Sequence, residues 1–146
     1  MRMMSQTDDV VSFLTTLRSY RKFKKGMLPP EISRENVTSA LGFISPQLIL
    51  IHGSYVMKTR YSPRDKGDLD LVVISIKTAF WSVVDLRDEI VRKLKQISKS
   101  IDFDISLTTL RGLLAHLKER TALGQSLLQG FTILYGPADG GKTSEN

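Results

Sequence analysis

At 146 residues, 41% of them apolar and 25% charged, the chain has the size and balance of one globular domain that buries its own core. No apolar run approaches the roughly 20 residues a bilayer span needs, so no membrane partner is expected. The lack of cysteine excludes disulfides and thiolate chemistry and fits a cytoplasmic location. The two histidines, His52 and His116, are too far apart in sequence to suggest a His-rich zinc site. The formal net charge of +6 favours anionic partners such as nucleotides, nucleic acid or acidic proteins.

The first predicted helix covers residues 8–24. Val10, Phe13, Leu14 and Leu17 recur at helical spacing, Asp8 and Asp9 occupy the first turn, and Gly26 with Pro29-Pro30 ends it. No signal-peptide pattern precedes it. Arg18, Arg21, Lys22, Lys24 and Lys25, with Tyr20 and Phe23 between them, form a basic cluster. It reads either as a surface that tracks a phosphate backbone or as a helix end whose cations suit the dipole. A second helix is expected over 31–44, with Val37, Leu41 and Ile44 inward and Pro46 closing it.

The apolar run Leu48-Ile49-Leu50-Ile51-His52 then reads as a buried strand, ended by Gly53-Ser54. Residues 61–67 form a polar loop beside that turn; it reads first as an ordinary exposed loop and second as one whose Arg64 and Lys66 touch phosphates. Asp68-Leu69-Asp70-Leu71-Val72-Val73-Ile74 is the second strand. A long amphipathic helix is predicted over 79–99, with a stripe of Phe80, Val83, Val84, Ile90, Val91, Leu94 and Ile97, and with Trp81 in or beside the core. A strand over 101–107 follows, then a helix with Leu110, Leu113, Leu114 and Leu117 on one face as core or partner interface. A helix over 119–129 and a closing strand over 131–135 complete the domain.

We read residues 1–136 as a single domain, with a helical extension over 1–46 and a core over 47–136, and residues 137–146 as a flexible tail. The segment from Gly136 to Thr143 satisfies G-x-x-x-x-G-K-T, the pattern of a phosphate-binding loop. That loop needs a helix after its threonine, and only Ser144, Glu145 and Asn146 follow. Pro137 also removes a backbone donor, so the pattern is set aside.

The chemistry concentrates at Asp68 and Asp70. Side chains alternate along a strand, so both point the same way. Their mutual repulsion is costly unless a cation lies between them, and a hard divalent ion with oxygen ligands is the usual solution. Apolar strand, Gly53-Ser54, a linker, then Asp-x-Asp on a second apolar strand resembles the signature of the polymerase-β-like nucleotidyltransferase superfamily. The resemblance runs over roughly 48–136, and Phe131-Thr132-Ile133-Leu134-Tyr135-Gly136 is similar to the closing strand of its small single-domain members. The linker, residues 55–67, is longer than in the compact members, and Tyr55-Val56-Met57-Lys58 stands where they carry a small Ala-Arg-Gly stretch.

The resemblance implies an α/β fold, a small mixed sheet flanked by helices, with two extra N-terminal helices. It implies that Gly53 and Ser54 hold the phosphates of a nucleoside triphosphate, ATP foremost, and that Asp68 and Asp70 bind Mg2+. A third carboxylate is expected on a later strand. Asp102 and Asp104 both qualify, and Asp104 is preferred for its spacing to the Thr108-Thr109 turn. The implied reaction is in-line transfer of a nucleoside monophosphate to an acceptor hydroxyl, with release of pyrophosphate. Small stand-alone members look like the antitoxin half of toxin–antitoxin pairs, which implies a protein partner or a homo-oligomer. RNA is a second candidate acceptor, and a non-catalytic nucleotide-, RNA- or partner-binding module is the alternative reading.

Overall fold

The computed structural model describes residues 6–58, 61–62 and 67–136. The expectations for Arg64, Lys66 and residues 137–146 lie outside them. Among the described residues, no helix is long and apolar enough to cross a membrane. The architecture is a four-stranded mixed sheet flanked by helices, which is the α/β arrangement expected.

The strands are β1 (Leu48–His52), β2 (Leu69–Ile74), β3 (Phe103–Thr108) and β4 (Phe131–Tyr135), in spatial order β3-β2-β1-β4. Strand β1 is apolar from Leu48 to Ile51, and all five of its residues are buried, with helices over both faces. It pairs antiparallel with β2 and with β4. Strands β2 and β3 are parallel, so the chain must cross over between them, and helix α4 (Val83–Ile97) makes that crossing.

One sheet face presents Ile49, Ile51, Leu71 and Val73 to helix α2 (Arg34–Ala40) and to the Leu86, Ile90 and Leu94 stripe of α4. The other presents Leu48, Leu50, Val72 and Ile74 to α1 (Gln6–Leu14), α5 (Leu110–Glu119) and α6 (Ala122–Gln129). Four helices begin on a hydroxyl cap: Ser33, Ser82, Thr109 and Thr121 each accept a hydrogen bond from the backbone N–H three residues on. Ser33 and Asn36 form a reciprocal box, with distances of 3.0 and 2.9 Å.

Three helices differ from the sequence expectation. The first stops at Leu14, not at residue 24. Thr15 and Thr16 turn their hydroxyls back to the carbonyls of Ser12 and Phe13, and the chain then runs as an irregular strap beside β4. There Arg21 N–H donates to Phe131 O at 2.7 Å, Phe131 N–H donates to Ser19 O at 3.0 Å, and the Tyr20 ring packs on Phe131. The basic cluster of residues 18–25 is therefore not a helix end. The second helix is shorter than expected and ends in a 3₁₀ turn at Gly42–Ile44. The third begins at Val83 after a separate 3₁₀ turn at Ile76–Ala79, so Phe80, Val83 and Val84 lie outside the buried stripe and are exposed.

Helices α5 and α6 cross so closely that a Cβ at Gly124 would collide with the backbone carbonyl of His116. Backbone cannot yield as a flexible side chain can, so Gly124→Ala is expected to lower stability by about 1–3 kcal/mol in urea unfolding.

Candidate functional site

Strand register builds the site. His52 is the last residue of β1, and Asp70 and Asp104 are each the second residue of their strands. His52 lies opposite Asp70 and Asp70 opposite Asp104, so the three form a row across one face of the sheet. It is the face that carries Leu50 and Val72, a little beyond the cover of α5 and α6. Asp70 is partly buried and Asp104 is exposed, which leaves the acidic end of the row open to solvent.

Paired strands lie about 5 Å apart, close enough for facing carboxyls to meet. Asp70 and Asp104 share a side-chain hydrogen bond. Asp68 stands two residues before Asp70, just ahead of β2, and its charge reaches Asp70. Burial, and then the Asp104 and Asp68 charges, push the Asp70 carboxyl up to about 6.

The Gly53-Ser54 turn is locked to this acid pair. Gly53 has φ +81°, and a Cβ there would collide with Oδ2 of Asp70. Glycine is needed twice over, for its backbone conformation and for the close approach. The short helix α3 (Ser54–Met57) follows, and Gly67 returns the chain to it, with the place of a Cβ 3.0 Å from Ser54 Oγ. Gly53, Ser54, Asp68, Asp70 and Asp104 are thus drawn to one end of the sheet.

Asp102 is placed elsewhere. It precedes β3, its carbonyl accepts from Leu69 N–H at 2.8 Å, and its carboxylate pairs with Lys95 Nζ at 3.1 Å. The Lys95 ammonium also donates to Ile101 O at 2.7 Å, so the Asp102 carboxylate is engaged at the surface, away from Asp70.

Two neighbours of the acids were not singled out from the sequence. His52 Nδ1 and Ser126 Oγ are hydrogen-bonded at 2.7 Å, tying β1 to α6. Burial lowers the His52 pKa, against the raising effect of the Asp104 charge, so its ring is neutral at neutral pH. The signal for His52 was present. In an antiparallel pair the last residue of one strand meets the start of the next, and Asp70 is at that start. Ser126 had no such signal, since it depends on how α6 docks.

Among the described residues, no three His, Cys, Asp or Glu side chains converge into a ready-made metal cage. The donor set still suits Mg2+, which takes one or two protein carboxylates and completes its shell with water and substrate phosphate. The repulsion that raises Asp70 is the energy such a cation relieves. Comparison with known proteins finds no matching family model, no matching curated protein and no matching solved structure.

A raised carboxyl has a definite stability signature. The folded chain holds the Asp70 proton between its ordinary value of 3.8 and about 6, where the unfolded chain has released it. Stability therefore falls as pH rises through that window. Asp70→Asn carries no such charge and is expected to melt a few degrees higher than the parent at neutral pH without divalent metal. The gap should close as pH falls below about 4. Parallel thermal melts across pH check both the sign and the window.

Proposed function

We propose that the chain is a Mg2+-dependent nucleotidyltransferase that moves a nucleoside monophosphate from a triphosphate, ATP foremost, to an acceptor hydroxyl. The observation that carries the reading is the contact of Gly53 with the Asp70 carboxylate. It couples the phosphate-side turn to an acid pair in one rigid unit. Convergence of the five residues of the motif supports it as well.

In this reading Asp68, Asp70 and Asp104 hold the cation, which when bound neutralises and orients the triphosphate. Gly53 lets the turn backbone approach closely, and the Ser54 hydroxyl contacts the phosphates. Asp104, exposed at the open end of the row, faces the incoming acceptor. The acceptor oxygen forms its bond to the α-phosphorus as the bond to pyrophosphate breaks, and the acceptor's proton is released beside Asp104. His52, neutral and tied to Ser126, closes the other end of the row without adding charge.

A second reading, a non-catalytic RNA-binding module on the same scaffold, draws on the basic strap. Arg18, Arg21, Lys22, Lys24 and Lys25 are all exposed along it, and Arg21 also donates to the carbonyls of Arg18 and Tyr20 at 2.9 and 3.3 Å. Five exposed cations on one strap suit a phosphate backbone.

Calorimetric titration with each nucleoside triphosphate, with and without Mg2+, tests the first reading. Asp70→Asn and Asp104→Ala are expected to weaken Mg2+-dependent binding or single-turnover transfer by about tenfold or more. Asp102→Ala should leave both nearly unchanged, because Asp102 is engaged with Lys95. Equal losses in Asp102→Ala and Asp104→Ala would reject the assignment of Asp104. Tight, salt-sensitive RNA binding with no triphosphate binding would favour the second reading.

A further inference from the structure

The far end of β2 carries a feature that the acidic end does not explain. After Ile74 the chain turns outward, and Ile76, Phe80, Trp81 and Val84 are 61%, 77%, 54% and 61% exposed, with Val83 beside them. Scaled by ordinary side-chain areas, they expose on the order of 600 Å2 of mainly apolar surface. That is at the top of the range for the largest apolar patch on a typical monomer, about 300–600 Å2.

The patch is held rigidly. Buried Ser75 donates to Ile44 O at 2.5 Å and accepts from Lys77 N–H at 3.2 Å. Lys77 Nζ donates to Phe43 O at 3.0 Å and lies 5.4 Å from the Trp81 ring centroid. Ser82 then caps α4. On that helix Val84 points roughly 160° away from Leu86, the start of the buried stripe, so it cannot turn inward without unseating the helix. Such preorganised apolar side chains lose little entropy when covered.

We infer that this patch is the contact surface between two copies of the chain. Its charges are arranged for self-association. A cation, Lys77, borders it at Trp81, and a carboxylate, Asp88, borders it one helical turn beyond Val84. A two-fold axis through the patch sets two such stripes antiparallel, with each Lys77 facing the Asp88 of the other copy and the apolar residues meeting at the centre. The area also fits, since a standard interface covers about 800 Å2 per partner, and the patch with a polar rim comes close to that. The four residues of β2 beyond Asp70 span about 13 Å and put the patch past the opposite end of the strand from the carboxylate row, so pairing leaves that site open. The inference is independent of the proposed activity.

Trp81 is the sole tryptophan and reports on the surface directly. Sedimentation of the full chain from micromolar to millimolar concentration should show a monomer–dimer equilibrium, and Trp81 emission should shift to the blue as dimer forms. Phe80→Ser with Val84→Ser should weaken association about tenfold or more while melting at an unchanged or higher temperature, because both side chains are exposed. Asp88→Lys should weaken it as well, and Lys77→Glu in the same chain should restore it. A chain that stays monomeric with red Trp81 emission throughout would overturn the inference. So would a dimer that survives Phe80→Ser with Val84→Ser, or a charge swap that fails to restore pairing.

Discussion

Strand β2 is hydrogen-bonded on both sides, antiparallel to β1 and parallel to β3, and this double registration governs the site. Neither Asp70 nor its neighbours can slide without shifting every apolar residue of the strand to the wrong face. Leu71 and Val73 are committed to one core, Val72 and Ile74 to the other. With those four fixed, Asp70 has no freedom to leave Asp104, and the repulsion between them is imposed by packing elsewhere. The raised Asp70 pKa is the visible cost of that imposition.

Each accessory feature of the site reinforces the constraint. The parallel register of β3 on β2 sets Asp104, and not its neighbours, opposite Asp70, and the Lys95 ammonium holds the Ile101 carbonyl just before that strand. Gly53 removes a side chain at the one place where the turn presses on the carboxylate. Ser126 holds His52 from above, so the neutral end of the row cannot swing toward solvent. An acid pair maintained in this way, at a stability cost, is the kind of local conflict that sites of chemistry retain and ordinary surfaces discard.

How much could be read beforehand follows from the range of the interactions. Strands β1 and β4 were legible to the residue because each is a short apolar run cut off by glycine or proline. Alternation is local and makes Asp68 and Asp70 read as a same-face pair, but β2 begins only at Leu69, so Asp70 alone of the two is held by strand register. Asp102 and Asp104 share one parity, so in the sequence only the spacing to Thr108-Thr109 favours Asp104, and the pairing of β3 with β2 is what sets Asp104 opposite Asp70. The first helix was overextended for a related reason. Leu17 and Tyr20 continue its apolar spacing, but the backbone of residues 19–21 is claimed by Phe131, more than a hundred positions away. The long third helix failed at its start, where Phe80 and Val84 match the helical period in composition yet face away from the core.

That last failure bears on what the two ends of β2 do. A stripe that reads as core but lies in the open is not explained by folding, since burying it would require α4 to begin a turn earlier and to rotate. Ser75 and Ser82 hold the chain in the opposite arrangement, one by anchoring the turn to Ile44 and the other by starting the helix late. The polypeptide thus commits hydrogen bonds to keep Phe80, Trp81 and Val84 exposed, just as it commits strand register to keep Asp70 and Asp104 together. One strand carries both departures from local optimum, charged at its entry and apolar at its exit. The core between them is a packed spacer that separates the acidic end of the strand from the apolar one.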